Sequence, residues 1–153
     1  MAHIKNAAMF FSLSNYSVQI TENGRTPLMF AVCLQDPGGR AKFTRLLLEK
    51  GADVNCQDEH GRTSLSLACE LGHLDMVKLL VQFNADPDVS DAWGNSALMY
   101  AAYTGHSHVL EFLNTKTMCN VFSAGGRSSA LHAKHVCFIY SNQCKYFTHT
   151  HVQ

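Results

Sequence analysis

Between residues 58 and 91 the apolar positions arrive in two bursts. The first is Leu65-Ser66-Leu67-Ala68-Cys69 and the second is Met76-Val77-Lys78-Leu79-Leu80. Glu70-Leu71-Gly72-His73 separates them, and Asn84-Ala85-Asp86-Pro87-Asp88 closes the unit. Two short amphipathic helices joined by a tight glycine turn account for this spacing. The order then returns: Asp58 aligns with Asp91, Gly61 with Gly94, Ala68 with Ala101, Gly72 with Gly105 and His73 with His106. A repeat of about 33 residues predicts stacked copies of one supersecondary unit, each hiding its apolar side against the next.

Local chemistry fits that unit. Gly61 and Gly94 suit turns that need a left-handed backbone. Thr63 and Ser96, two residues later, supply hydroxyls that can accept from the unpaired amides opening a helix. Thr26-Pro27 strengthens the signal, because proline in the first helical position gives up an amide that had no partner. Gly72 and Gly105 fit the end of the first helix. The pairs Leu79-Leu80 and Phe112-Leu113 mark the second, and Asn84, the next best tolerated left-handed residue, stands where the earlier unit has Gly51.

These residues resemble the ankyrin repeat. Its Thr-Pro-Leu-His-x-Ala signature reads here as Thr26-Pro27-Leu28-Met29-Phe30-Ala31, Thr63-Ser64-Leu65-Ser66-Leu67-Ala68 and Ser96-Ala97-Leu98-Met99-Tyr100-Ala101. The family's Gly-Ala-Asp-x-Asn segment stands at Gly51-Ala52-Asp53-Val54-Asn55. Met29, Ser66 and Met99 replace the usual His, a change expected to loosen the polar network between turns. The resemblance implies an all-α solenoid of helix-turn-helix units joined by β-turn or hairpin loops. It covers roughly Thr21 to Asn114 and ends there.

Read this way, residues 1–20 form a degenerate half repeat or cap, with Phe10-Phe11 in the Leu79-Leu80 slots, or else a frayed end. Residues 21–57 form the first unit, longer by four residues at Cys33–Lys42, where Pro37-Gly38-Gly39 predicts a loop. Such a lengthened loop is a binding feature or, more simply, a tolerated insertion. Residues 58–90 are the second unit and 91–114 an incomplete third. Residues 115–153 form a basic tail without Leu pairs or turn motifs, expected to be mostly unstructured. It reads as an unrelated ending spliced onto a longer array, or as the mark of a truncated form. Val136-Cys137-Phe138-Ile139-Tyr140 within it has strand-like composition.

The chain has 153 residues, enough for one domain, and its formal charge is zero. That balance gives no global attraction to nucleic acid or anionic lipid. Every acidic residue lies at or before Glu111, so eight basic against twelve acidic residues leave the body at −4 and the tail at +4. The six cysteines follow no recognisable signal peptide, and no stretch approaches a membrane span, so a reducing cytoplasmic or nuclear setting is expected. Cys69 reads as a packed thiol.

In the tail, Cys137, Cys144, His149 and His151, with His132 and His135 upstream, are metal-ligand types. Their spacing matches no recurrent zinc pattern, and no metal or other cofactor is expected. Phosphate loops, dinucleotide fingerprints and nucleophile elbows are missing from the sequence, which argues against an enzyme. His73, His106, Asp53 and Asp86 recur at fixed slots and read as structural.

By resemblance, turn tips and the exposed sides of the first helices form one concave binding face. Its candidate residues are Glu22, Asn23 and Arg25 in the first unit and Glu59, His60, Arg62, Glu70 and Leu71 in the second. Ala92, Trp93, Asn95, Tyr103 and Thr104 complete the set in the third. Trp93 is the notable one, since a turn tip has no core to fill; the alternative is that it folds onto Tyr103 or the preceding turn. The expected function is a non-enzymatic, monomeric adaptor for another protein. A nuclear or signalling regulator, or a truncated form with a weak metal site in the tail, is the rival reading.

Overall fold

The computed structural model describes residues 23–124. Expectations for residues 1–20, for Glu22 and for the tail from Gly125 onward, its Cys and His cluster included, lie outside the described residues. Within them the chain forms α1 (Pro27–Val32), α2 (Pro37–Glu49), α3 (Ser64–Leu71), α4 (Leu74–Gln82), α5 (Ala97–Tyr103) and α6 (Ser107–Ala124). Each unit is a helix pair, α1 with α2, α3 with α4 and α5 with α6. The pairs stack so that α3 lies between α1 and α5, and α4 between α2 and α6. Ser90 and Ser96 form an isolated antiparallel bridge at the base of the third turn. None of the described helices is long and apolar enough to cross a membrane.

The helix starts follow from their caps. The Thr26 hydroxyl accepts from the Met29 amide at 3.3 Å, with Pro27 in the first position. In the second unit the Ser66 amide donates to Thr63 Oγ1 at 3.2 Å and the Thr63 amide donates to Ser66 Oγ at 2.9 Å. Ser66, standing where the family's usual histidine is absent, thus closes a reciprocal capping box. Ser96 departs from expectation: it has the extended cap geometry, but its hydroxyl makes no capping bond. Met99, at the Ser66 slot, has no hydroxyl with which to reciprocate.

Gly72 ends α3 at φ 72°, ψ 22°. A Cβ there would lie 2.6 Å from the His106 ring, so this glycine also makes room for the next unit. Asn84 holds φ 62°, the left-handed role expected of it.

Leu65, Met76, Val77 and Leu80 are each no more than 1% exposed, and Leu79 and Leu113 are also buried. At roughly 1.5–3 kcal/mol for each fully buried large aliphatic side chain, this seam between neighbouring units is the main source of stability. Cys69 lies within it as a buried thiol.

Two sequence expectations are corrected. The loop read at Cys33–Lys42 is largely helix, because Asp36 caps α2 by accepting from the Gly39 amide at 2.6 Å and Pro37 occupies the first helical position. Only Cys33–Asp36 connects the two helices of the first unit. The helical pattern also runs past Asn114, with α6 continuing to Ala124. No proline or glycine interrupts residues 115–124, and Gly125-Gly126 comes only afterwards.

The α2 helix brings in a buried cation. Arg40, 6% exposed, donates to the Leu34 carbonyl at 2.9 Å, reaches Nε2 of His73 at 3.2 Å and forms a salt bridge with Asp75 at 3.2 Å. Nδ1 of the same histidine donates to the Val32 carbonyl at 2.9 Å. A carbonyl can only accept, so the proton sits on Nδ1 and Nε2 accepts from Arg40. His106 repeats the hook with a bond to the Glu70 carbonyl at 3.1 Å. Both histidines are therefore clasps between units, as their recurrence predicted.

Candidate functional site

The second and third turns are each organised by the aspartate that precedes the tip. Asp58 Oδ1 accepts from the amides of His60 and Arg62, both at 2.9 Å, and Oδ2 accepts from the Arg62 guanidinium. Asp91 Oδ1 accepts from Trp93 at 2.9 Å and Asn95 at 2.8 Å, while Oδ2 takes the Tyr100 hydroxyl at 2.5 Å. Burial alone would raise the Asp91 carboxyl, but the Tyr100 hydroxyl and the Asn95 and Trp93 amides outweigh it and hold it below the usual range. The Tyr100 hydroxyl is pushed up to about 12, by burial first and then by its bond to Asp91.

Successive tips are joined through the backbone. The Glu59 amide donates to the Asn23 carbonyl at 3.3 Å, and the Ala92 amide donates to the His60 carbonyl at 2.9 Å. These bonds link the turns where the histidine network is absent. Gly61, at φ 78°, is required for the approach, since a Cβ there would sit 3.0 Å from the Ala92 nitrogen.

The arrangement brings Asn23, Glu59, His60, Ala92 and Trp93 into one row of exposed tips. The rings of His60 and Trp93 stack with centroids 5.4 Å apart and planes inclined by 30°. Trp93 nevertheless remains 64% exposed. It therefore leans on the preceding turn without being consumed by it. At the far ends of the first helices, Leu71 and Tyr103 are 41% and 51% exposed. Glu70 is half-buried there, and its charge bears on both Tyr100 in α5 and Cys33 beyond α1.

Other candidates are committed within the fold. Arg62 forms a salt bridge with Asp58 at 2.9 Å and its side chain is only 18% exposed. Asn95 gives its amide to Asp91. The Thr104 hydroxyl donates to the Tyr100 carbonyl at 2.7 Å. Arg25 is half-buried and lies close enough to Cys33 to oppose the burial-driven rise of that thiol. Sequence reasoning matched Asp58 to Asp91 but missed their task. A recurring aspartate two residues before a tip is the signal for such a turn. Tyr100, at the slot of buried Leu67, and half-exposed Phe30 carried no comparable signal.

Stacked helix pairs with tips in register define a helical repeat solenoid, a class that works by offering a surface. The family model for ankyrin repeats (3 copies) matches residues 38–124, more than half of the sequence, and the chain belongs to the ankyrin repeat family. Ankyrin repeats are protein-interaction modules. Ankyrin repeat domain-containing protein 63 of Homo sapiens is 71% identical over 56 residues, which cover 37% of this chain and 15% of that protein. The Mus musculus protein of the same name is 70% identical over 56 residues, covering 37% and 14%. The matched stretch is thus a small part of each relative.

Proposed function

We propose that this chain is a non-catalytic adaptor that binds another protein along the row of turn tips and the exposed ends of α3 and α5. The observation that carries this reading is Trp93. A large aromatic ring at a turn tip, propped on His60 yet 64% exposed, serves no packing need of the fold. Exposed aromatic rings held in place by neighbours are common interface anchors, because little entropy is lost when they are covered. Leu71 and Tyr103 extend the apolar part of the face.

Partner capture by the tagged full chain tests this, comparing wild type with Trp93→Ala plus Tyr103→Ala. Trp93 is 64% and Tyr103 51% exposed, so the variant is expected to melt close to wild type, which a thermal scan checks. The reading expects loss of the partners; equal recovery of every one would remove it.

A further inference from the structure

The face proposed above is biased in charge. Glu59 is exposed at the second tip and Glu70 is half-buried at the end of α3, and neither forms a salt bridge among the described residues. Arg62, the cation between them in sequence, is held by Asp58 through both Nε at 3.0 Å and a terminal nitrogen at 2.9 Å. Arg25 is half-buried and also engaged. Asp91, at the third turn, is turned inward by Tyr100 and two amides. The charged groups left for a visitor among the described residues of this face are two carboxylates, and they stand beside an exposed indole.

The indole sharpens the selection. Trp93 gives one ring face to His60 and keeps most of its surface open. A cation above an aromatic face is attracted by its quadrupole, and tryptophan is the strongest such platform. A planar guanidinium can stack on indole while its edge hydrogen bonds engage a carboxylate. An ammonium offers only a point charge.

Resting on the adaptor reading, we propose that the partner segment recognised here bears arginine, with a guanidinium stacked on Trp93 and neighbouring basic residues paired with Glu59 and Glu70. Steering by these charges makes the association salt-sensitive.

Trp93 is the single tryptophan of the chain, so its emission reports directly on the site. The full chain is titrated at low salt with labelled peptides of about twelve residues, built from Gly-Ser-Arg, Gly-Ser-Lys or Gly-Ser-Glu triplets, following both peptide anisotropy and Trp93 emission. The arginine peptide is expected to bind and change the emission, the lysine peptide to bind several-fold more weakly and the glutamate peptide to leave it unchanged. Glu59→Gln plus Glu70→Gln is expected to weaken the arginine peptide by about tenfold while melting like wild type, since neither carboxylate forms a salt bridge among the described residues. No binding, equal binding of the arginine and glutamate peptides, or indifference to the double substitution overturns the proposal. Capture of a protein partner that still depends on Trp93 and Tyr103, without any arginine preference, overturns this inference alone and leaves the adaptor standing.

Discussion

The guanidinium of Arg40 lies 3.2 Å from Nε2 of His73, in the next unit of the stack. The contact ties the start of α2 to the start of α4, and the same arginine also bonds the Leu34 carbonyl and Asp75. Arg40→Ala should therefore unfasten the first unit from the second. The loss of charge-assisted bonds predicts destabilisation of about 2 kcal/mol, read as a lower urea midpoint at unchanged slope. Asp75→Asn, whose side chain is 45% exposed, should cost less than about 1 kcal/mol.

Gly61 and Gly94 have nearly the same backbone, φ 78° and 81°, but different surroundings. A Cβ on Gly61 would meet the next turn at 3.0 Å, whereas nothing lies within 4 Å of one on Gly94. Gly94→Ala is expected to cost only the left-handed strain, about 1 kcal/mol. Gly61→Ala should cost measurably more, because the Ala92–His60 backbone bond must also shift. Equal melting temperatures for the two variants would contradict the close approach of the tips.

The Asp91–Tyr100 bond ties stability to pH at both extremes. Tyr100 is raised to about 12 from an ordinary 10.0, so its contribution is complete below about pH 10 and is lost as pH rises through about 12. Asp91 is lowered, so its contribution is present above its ordinary value and is lost as pH falls through the lower folded one. Tyr100→Phe should flatten the alkaline fall in melting temperature. It should also move the acid fall upward, because Asp91 loses its strongest side-chain bond. Unchanged profiles in this variant would refute the coupling.

Cys69 is fully buried and its thiol is pushed up to about 12 by that burial. Since the thiolate is the reactive form, alkylation at pH 8 should spare Cys69 until the stack unfolds. Half-buried Cys33 and Cys56 should react earlier. Peptide mapping after brief iodoacetamide treatment distinguishes the three.

Much of this architecture could be read from slots that recur. Gly61 with Gly94, Gly72 with Gly105 and His73 with His106 announced the unit, and the structure gives the turn-end glycines and the histidines the roles that their recurrence implied. What escaped notice was non-repeating chemistry. Pro37-Gly38-Gly39 has the composition of a loop, and the Asp36 cap with Pro37 in the first helical position makes it the first turn of a helix. Arg40 falls in the stretch read as a loop, and its side-chain partners His73 and Asp75 lie in another unit, more than thirty positions away. On the candidate face, Trp93 was legible because a turn has no interior. Arg62 reads from the sequence either as a cation for a partner or as one paired with acidic neighbours such as Glu59, and its closure onto Asp58 was not legible because it occurs within a turn, where helical pairing rules give no guidance.

The tip-to-tip bonds give the stack a polarity. Asn23 and His60 each offer a carbonyl toward the C-terminal side and receive an amide from the following turn. Among the described residues, no amide reaches the corresponding carbonyl of Trp93. Two such edges facing one another would set acceptor against acceptor. Continuation of the ladder at that end therefore calls for a donor, head-to-tail, from a further turn that brings its own N–H.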